Sequence, residues 1–337
     1  MKKIILILLL IICLSATWFL FAPFTRFTEN STYIYIRTGE TSSTLVIKNL
    51  EDNQCIKQTK LFRFTADILN IWPRIKPGKY EIKKNQSLFH IIRTLRNNQQ
   101  TPVNLVITKL RTPNQLAALI EKKFECDSLK FIRYINDSNF NQTYQISATQ
   151  LLFIAHPNTY TYYWAASPEA LINKLFVYHQ QFWNTERMKK ARNLGLMPLE
   201  ITTLASIVDE ETLANEEKPI IAGVYLNRLK KSMPLGADPT VKFATGDFQL
   251  KRILLKHIKE TATSPYNTYT NKGLPPGPIC TPMDETIDAV LNATAHEFLF
   301  FCAAPGYTGR HNFAATDKEH LKNARAYQSW LNEKGIR

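Results

Sequence analysis

The sequence predicts an α+β protein in three parts: an N-terminal transmembrane helix, a small α/β subdomain, and a mixed α+β domain whose chemistry sits on a helix. Three observations predict this. Residues 4–23 carry no charge and are almost wholly apolar, about the length that crosses a bilayer. Residues 32–100 alternate strand and helix signals at short spacing. Beyond them lies a longer region centred on a helical run, Leu204-Ala205-Ser206-Ile207-Val208-Asp209-Glu210-Glu211-Thr212, with strand signals near its end.

Composition narrows the class. A chain of 337 residues with 45% hydrophobic content suits two modest domains with real cores. The net charge of +14 and pI of about 9.5 imply an anionic neighbour. No zinc-finger or aromatic-rich basic motif is present, so nucleic acid is not the expected partner. Cys13, Cys55, Cys126, Cys280 and Cys302 are too far apart in sequence for a CxxC metal or redox pair. They read as packing residues, with disulfides left open.

In chain order, Lys2 and Lys3 place the N-terminus on the cytoplasmic side, and Trp18 and Phe21 suit the far interface. A cleaved signal peptide is the rival reading, but no small-x-small site follows the apolar run. Residues 1–23 are therefore expected as cytoplasmic lysines plus an uncleaved anchor, and 24–31 as a linker. Residues 32–37 alternate with β-branched and aromatic side chains, a strand pattern. Helical periods follow at 43–53, 59–71 and 87–95, with a turn and strand at 76–82 between the last two. The second domain, 101–337, opens on a strand at 101–107. Thr112 then caps a helix, residues 124–141 form a polar helical patch, and an aromatic-rich stretch runs from Phe153 to Trp164. Ser167 caps a helix to Phe182, and Pro219 opens another. Asp238-Pro239-Thr240-Val241 reads as a short strand. Residues 266–279 read as a stiff extended wall, because proline pairs cannot continue a ladder. Residues 298–301 read as a buried strand and 309–313 as a turn into another. Thr316 caps the last helix, with Glu319 completing a capping box.

On a helical wheel Ile201, Leu204, Ile207 and Val208 share one face, and Glu211 falls in its middle. Asp209 and Glu210 then point to solvent. Burial raises a carboxyl pKa, and a carboxyl protonated near neutral pH can act as a general acid. Spacing alone favours the plainer reading, a helix-end acid paired with an arginine. No phosphate loop, HExxH pair or GxSxG elbow offers other chemistry. Asp238 is a weaker second carboxyl.

Six ordered segments carry a family resemblance. They are Leu204-Ala205-Ser206-Ile207-Val208-x-x-Glu211-Thr212, Val224-Tyr225-x-Asn227-Arg228-Leu229, Leu235-x-x-Asp238-Pro239-Thr240-Val241, Tyr266-Asn267-Thr268-Tyr269, Gly273-Leu274-Pro275-Pro276-Gly277-x-Ile279, and His311-x-Phe313-x-x-Thr316-x-x-Glu319-His320. The sequence resembles the YceG-like family, the endolytic murein transglycosylases. The module at 32–100 looks like that family's LysM-like subdomain, more loosely, through Lys76-Pro77-Gly78-Lys79-Tyr80. Two departures stand out: Asp209 and Glu210 replace the usual first and middle residues of the acidic triplet, and Pro157-Asn158-Thr159-Tyr160 replaces a Pro-Asp-Thr-Tyr segment.

The resemblance implies a single-pass protein of the inner membrane with its catalytic domain outside the cytoplasm. It implies cleavage of peptidoglycan glycan strands between MurNAc and GlcNAc, leaving 1,6-anhydro-MurNAc ends and terminating nascent strands. Glu211 is the implied catalytic residue, turning the wheel argument toward catalysis. Asp238, Thr240, Tyr266, Asn267, Thr268, Tyr269 and His311 are the expected substrate-binding residues. No cofactor and no metal are implied, and penicillin-binding proteins are the expected kind of partner. A non-catalytic peptidoglycan-binding membrane scaffold is the alternative.

Overall fold

The computed structural model describes residues 4, 7, 10, 17, 18, 21–306 and 309–335. The apolar run expected to span a membrane lies largely outside the described residues. Among the described residues, no helix is long and apolar enough to cross one. The chain divides into two compact units.

The smaller unit comprises Met1–Leu105, with Leu119–Asp127 and Thr161–Pro168. Strand β1 (Ser31–Ile36) pairs antiparallel with β2 (Gly78–Lys83), so that Tyr35 faces Lys79 and Tyr33 faces Glu81. Alternation sends Ile34, Ile36, Tyr80 and Ile82 inward, where all four are buried. Helices α1 (Ser43–Asp52), α2 (Thr59–Ile68) and α3 (Leu88–Arg96) close the core with Val46, Leu50, Phe62, Ile91 and Leu95. Ser87 caps α3 by accepting from the His90 N–H. The expected periods all appear, α2 ending at Ile68 rather than 71. Strands β3 (Val103–Ile107) and β4 (Asn158–Tyr162) form a second two-stranded sheet.

Most helices follow: α4 (Pro113–Glu121), α5 (Ser128–Ile135), α6 (Ser138–Tyr144), α7 (Pro168–Phe182) and α8 (Thr185–Leu194). The patch at 124–141 thus becomes two helices rather than one, α6 starting afresh where Asp137 accepts from the Asn139 N–H. Helix α9 (Pro198–Glu211) is the centre of the larger unit. Every residue from Ile201 to Asp209 is buried, so it is a core helix and not a one-sided amphipathic one. It packs on α8, α10 (Lys218–Lys230), α11 (Asp238–Thr245) and α13 (Asp284–Leu291). Its hydroxyls are satisfied internally: Thr202 and Thr203 donate to carbonyls four residues back, and Ser206 donates to Thr203 and accepts from the Ile279 N–H.

Two expectations change. Residues 238–241 do not form a strand but begin α11, because Pro239 suits the first helical turn and Asp238 favours the positive end of the dipole. The strand expected at 298–301 is β5 (Phe300–Ala303), and it is half-buried rather than buried. It pairs antiparallel with β6 (His311–Ala314). Residues 266–279 hold neither helix nor strand, as the prolines dictate. After a short α12 (Leu255–Glu260), the chain ends in α14 (Asp317–Glu333), where Thr316 accepts from the Glu319 N–H and Glu319 reaches back to the Ala315 N–H. No disulfide joins Cys55, Cys126, Cys280 and Cys302 to one another.

Candidate active site

The C-terminal end of α9 opens into a cleft of about 650 Å³ in the larger unit. Glu211 comes from α9, and Tyr225 and Arg228 from α10. Leu235, Gly236 and Asp238 come from the turn into α11. Tyr269, the β5 residues Phe300–Ala303, His311 and His320 complete the lining. Gly236 makes its turn at φ +59°, with the Arg228 guanidinium beside it.

Among the described residues Glu211 has one direct hydrogen-bond partner. The Tyr225 hydroxyl donates to its Oε1 at 2.6 Å, from a side chain only 1% exposed. Burial pushes the Glu211 carboxyl up to about 7, and the nearby Asp238 and Glu210 charges add to this. The tyrosine hydrogen bond and the Arg228 charge pull the other way and are outweighed. Tyr225 itself is raised well above the ordinary phenol range by burial and by Glu211. The phenol therefore stays a donor while the carboxyl titrates near neutrality.

The neighbouring acids are treated differently, which corrects the expectation that both face solvent. Asp209 is buried. Its Oδ1 accepts from Lys218 at 2.9 Å and Thr286 at 2.5 Å, and Lys109 lies 3.0 Å from Oδ2. Glu210 meets Lys109 at 2.9 Å and takes two bonds from Arg111, at 3.1 and 2.9 Å. Burial alone would raise both carboxyls. The hydrogen bonds and cations reverse that and hold both below their ordinary values.

The other expected residues separate into two groups. Asp238, Tyr269 and His311 line the cleft. Tyr269 donates to Asp238 Oδ1 at 2.6 Å. The His311 ring Nδ1 lies 2.9 Å from Glu217 Oε2, and the His311 N–H donates to Oε1 of the same carboxylate. Thr240, Asn267 and Thr268 do not reach the cleft surface and are at most 1% exposed. Their polar groups are used internally: the Thr240 and Thr268 hydroxyls lie 2.8 Å apart, and Asn267 bonds the Ile258 carbonyl and the Thr261 hydroxyl. They pin the loop that carries Tyr269. Tyr266 packs on Phe243 outside the lining.

Tyr225, Arg228 and His320 had no assigned role in the sequence, although each lies in a quoted segment. Arg228 holds the Leu299 carbonyl through Nε at 2.6 Å and the Leu235 carbonyl through Nη1 at 2.7 Å. Asn227 bonds the His296 and Phe298 carbonyls. The segment thus ties α10 to the chain entering β5. Gly223 is required there, because a Cβ would stand 2.5 Å from the Thr294 carbonyl oxygen. Nδ1 of His320 is buried without a hydrogen-bond partner among the described residues.

One carboxyl that keeps its proton near pH 7, set in a cleft and fed by a fixed phenol donor, is the equipment of a carboxyl acid–base enzyme. The chain belongs to the YceG-like family, whose model matches residues 34–326. It is 28% identical over 331 residues to a Bacillus subtilis (strain 168) protein named endolytic murein transglycosylase, spanning 94% of this chain and 90% of that one. A Streptococcus pneumoniae protein of the same name, from serotype 2 strain D39, is 26% identical over 306 residues. That match spans 81% of this chain but only 54% of the pneumococcal one. The crystal structure of a yceG-like protein from Listeria monocytogenes superposes with a TM-score of 0.58 at 26% identity, covering 88% of this chain and 99% of that one.

Proposed function

We propose that this chain is an endolytic peptidoglycan lytic transglycosylase that uses Glu211 as its single acid and base. The observation that carries the reading is the Glu211–Tyr225 pair in the cleft, a carboxyl raised to about 7 with a phenol fixed on one oxygen. Protonated Glu211 gives its proton to the glycosidic oxygen between MurNAc and GlcNAc as the C1–O bond breaks. The muramic 6-hydroxyl forms the new bond to C1, and the Glu211 carboxylate takes the hydroxyl proton. The product is a 1,6-anhydro end, and the carboxyl is protonated again. Because the nucleophile is tethered to the same sugar, effective molarity replaces a second catalytic carboxylate.

Asp238, Tyr269 and His311 are placed along the cleft to hold the strand. Thr240, Asn267 and Thr268 act beneath it, by fixing the Tyr269 loop. The apolar run at 4–23 behind Lys2 and Lys3 serves as a single-pass anchor with the catalytic unit outside the cytoplasm. An anchored enzyme of this kind would release nascent strands beside the penicillin-binding proteins that extend them.

The test uses purified glycan strands in isotopically labelled water, with products read by mass spectrometry. The expected products are anhydro ends without label, absent with Glu211→Gln. Labelled reducing ends would mean hydrolysis and would overturn the transglycosylase reading. Strand capture without any cleavage would favour the scaffold.

A further inference from the structure

The apolar run at 4–23 passes into the smaller unit without slack. The Ala22 N–H donates to the Trp18 carbonyl, four residues back, at 2.7 Å. One residue on, Pro23 forms an antiparallel β-bridge with Ser87. The Phe24 N–H donates to the Gln86 carbonyl at 2.8 Å, and the Phe24 carbonyl accepts from the Lys57 N–H at 3.0 Å. The Thr25 hydroxyl accepts from the Asn85 N–H at 2.8 Å. Phe24 and Thr25 are both buried. Chain held by this many bonds is a rigid junction and not a flexible spacer.

Beside the junction lies a face that joins two apolar rings to a row of cations. Phe21 and Phe89 are 61% and 38% exposed, with ring centres 5.7 Å apart. Phe89 opens a stripe along α3. Arg93 and Arg96 follow on the same side at i+4 and i+7, and both are exposed. The opposite side, with Leu88, Ile91, Ile92 and Leu95, is buried. Lys57 stands at the junction itself, its ammonium 3.4 Å from the Pro23 carbonyl. Residues 82–100 contain no Asp or Glu, so α3 offers its arginines no acid. Lys57, Arg93 and Arg96 belong to no ion pair among the described residues. Cations without partners attract an anionic surface. Protruding aromatic rings beside basic side chains suit the headgroup boundary of a bilayer.

We propose that this face of the smaller unit lies on the membrane. Acidic phospholipid headgroups meet Lys57, Arg93 and Arg96, and Phe21 and Phe89 enter the headgroup boundary. The proposal rests on the reading of residues 4–23 as an anchor. That reading puts Phe21 at the end of the span, and the rigid junction then keeps the Phe21 side of α3 within reach of lipid. The smaller unit is thereby oriented on the bilayer and does not swing from it.

The test reconstitutes the full chain into nanodiscs, either of neutral phosphatidylcholine or of phosphatidylcholine mixed with acidic phosphatidylglycerol. Arginines are modified with phenylglyoxal and read one by one by mass spectrometry. Arg93 and Arg96 are expected to react about tenfold more slowly in the acidic discs, and the exposed Arg325 on α14 equally in both. The variant R93E/R96E changes only exposed side chains and is expected to keep the fold. In it the Lys57 amine, read by acetylation, is expected to lose the protection that acidic discs give it in the native chain. Equal reactivity of Arg93 and Arg96 in the two kinds of disc would overturn the proposal. So would equal protection of Arg325, or protection by polyglutamate in neutral discs as strong as that by acidic lipid. Anchoring is read separately, by washing vesicles that carry the chain with alkaline carbonate. Release would overturn the anchor reading and this face with it, whereas retention with equal arginine reactivity would count against this face alone.

Discussion

Asp209 and Glu210 occupy one side of the last turn of α9, and Glu211 the other, and the two regions make opposite use of the same functional group. Burial acts against the charged form in both. Around Asp209 and Glu210 three cations and a threonine restore the charge. Around Glu211 there is one phenol, and the nearest carboxylates oppose ionisation. One region is a buried ion cluster that fixes the helix end, the other a carboxyl kept ready to give a proton. The partners make the difference: they outweigh burial at Asp209 and Glu210 and do not at Glu211.

The largest break in the comparison is Glu211→Gln. It keeps the shape and removes the proton, so cleavage is expected to fall by about 10²–10⁴ with no loss of fold, measured as the rate of anhydro-end formation. On the other side, Asp209→Ala leaves Lys218 facing no carboxylate in a buried site. It is expected to cost ~3–5 kcal/mol, read as a lower urea midpoint at unchanged slope.

The pH dependence of stability sharpens the contrast. The folded pKa of Glu211 is raised from 4.5 to about 7. Its contribution is full below 4.5 and is lost as pH rises through 7. Relative to Glu211→Gln, the native chain should therefore lose up to ~3 kcal/mol across that window. Asp209 and Glu210 are held below their ordinary 3.8 and 4.5. Their contribution is present above those values and lost as pH falls through the lowered ones. Urea unfolding of native, Glu211→Gln and Asp209→Asn chains from pH 3 to 8 should give difference curves of opposite slope.

Tyr225→Phe removes the bond that favours the charged form of Glu211. The alkaline limb of the activity profile, where Glu211 loses its proton, should move upward, and kcat/KM at neutral pH should fall about tenfold, a single charge-assisted hydrogen bond. The smallest effect is expected for Tyr269→Phe, which frees Asp238 at ~1 kcal/mol and should appear in KM rather than kcat.

Much of this architecture is written locally. The alternation at 32–37, the period at 87–95 and the caps at Ser87 and Thr316 each depend on a few adjacent residues, and each forms the expected element. The helical wheel singled out Glu211 because its contrast with its neighbours is also local. What the wheel could not show is that α9 is enclosed on all sides. Lys109 and Arg111 arrive from about 100 residues upstream and Thr286 from 77 downstream, so of the groups that hold this acid cluster charged only Lys218, nine residues from Asp209, lies near it in the sequence. Tyr225 was equally hidden, since its contact with Glu211 requires α10 to fold back along α9. At 238–241 the β-branched Thr240 and Val241 suit a strand, but a proline in the first turn after an aspartate is the stronger signal and a helix forms. Asn267 and Thr268 were legible as important but not as buried, because a sugar and a backbone carbonyl ask for the same donors.

The measurement closest to the central claim is a difference infrared titration of native and Glu211→Gln chains, following the protonated-carboxyl band lost on substitution. The account predicts a band that titrates near pH 7 and shifts upward in Tyr225→Phe. A band gone by pH 5.5 would mean that Glu211 is charged at neutrality, no different from its two neighbours, and would contradict the account.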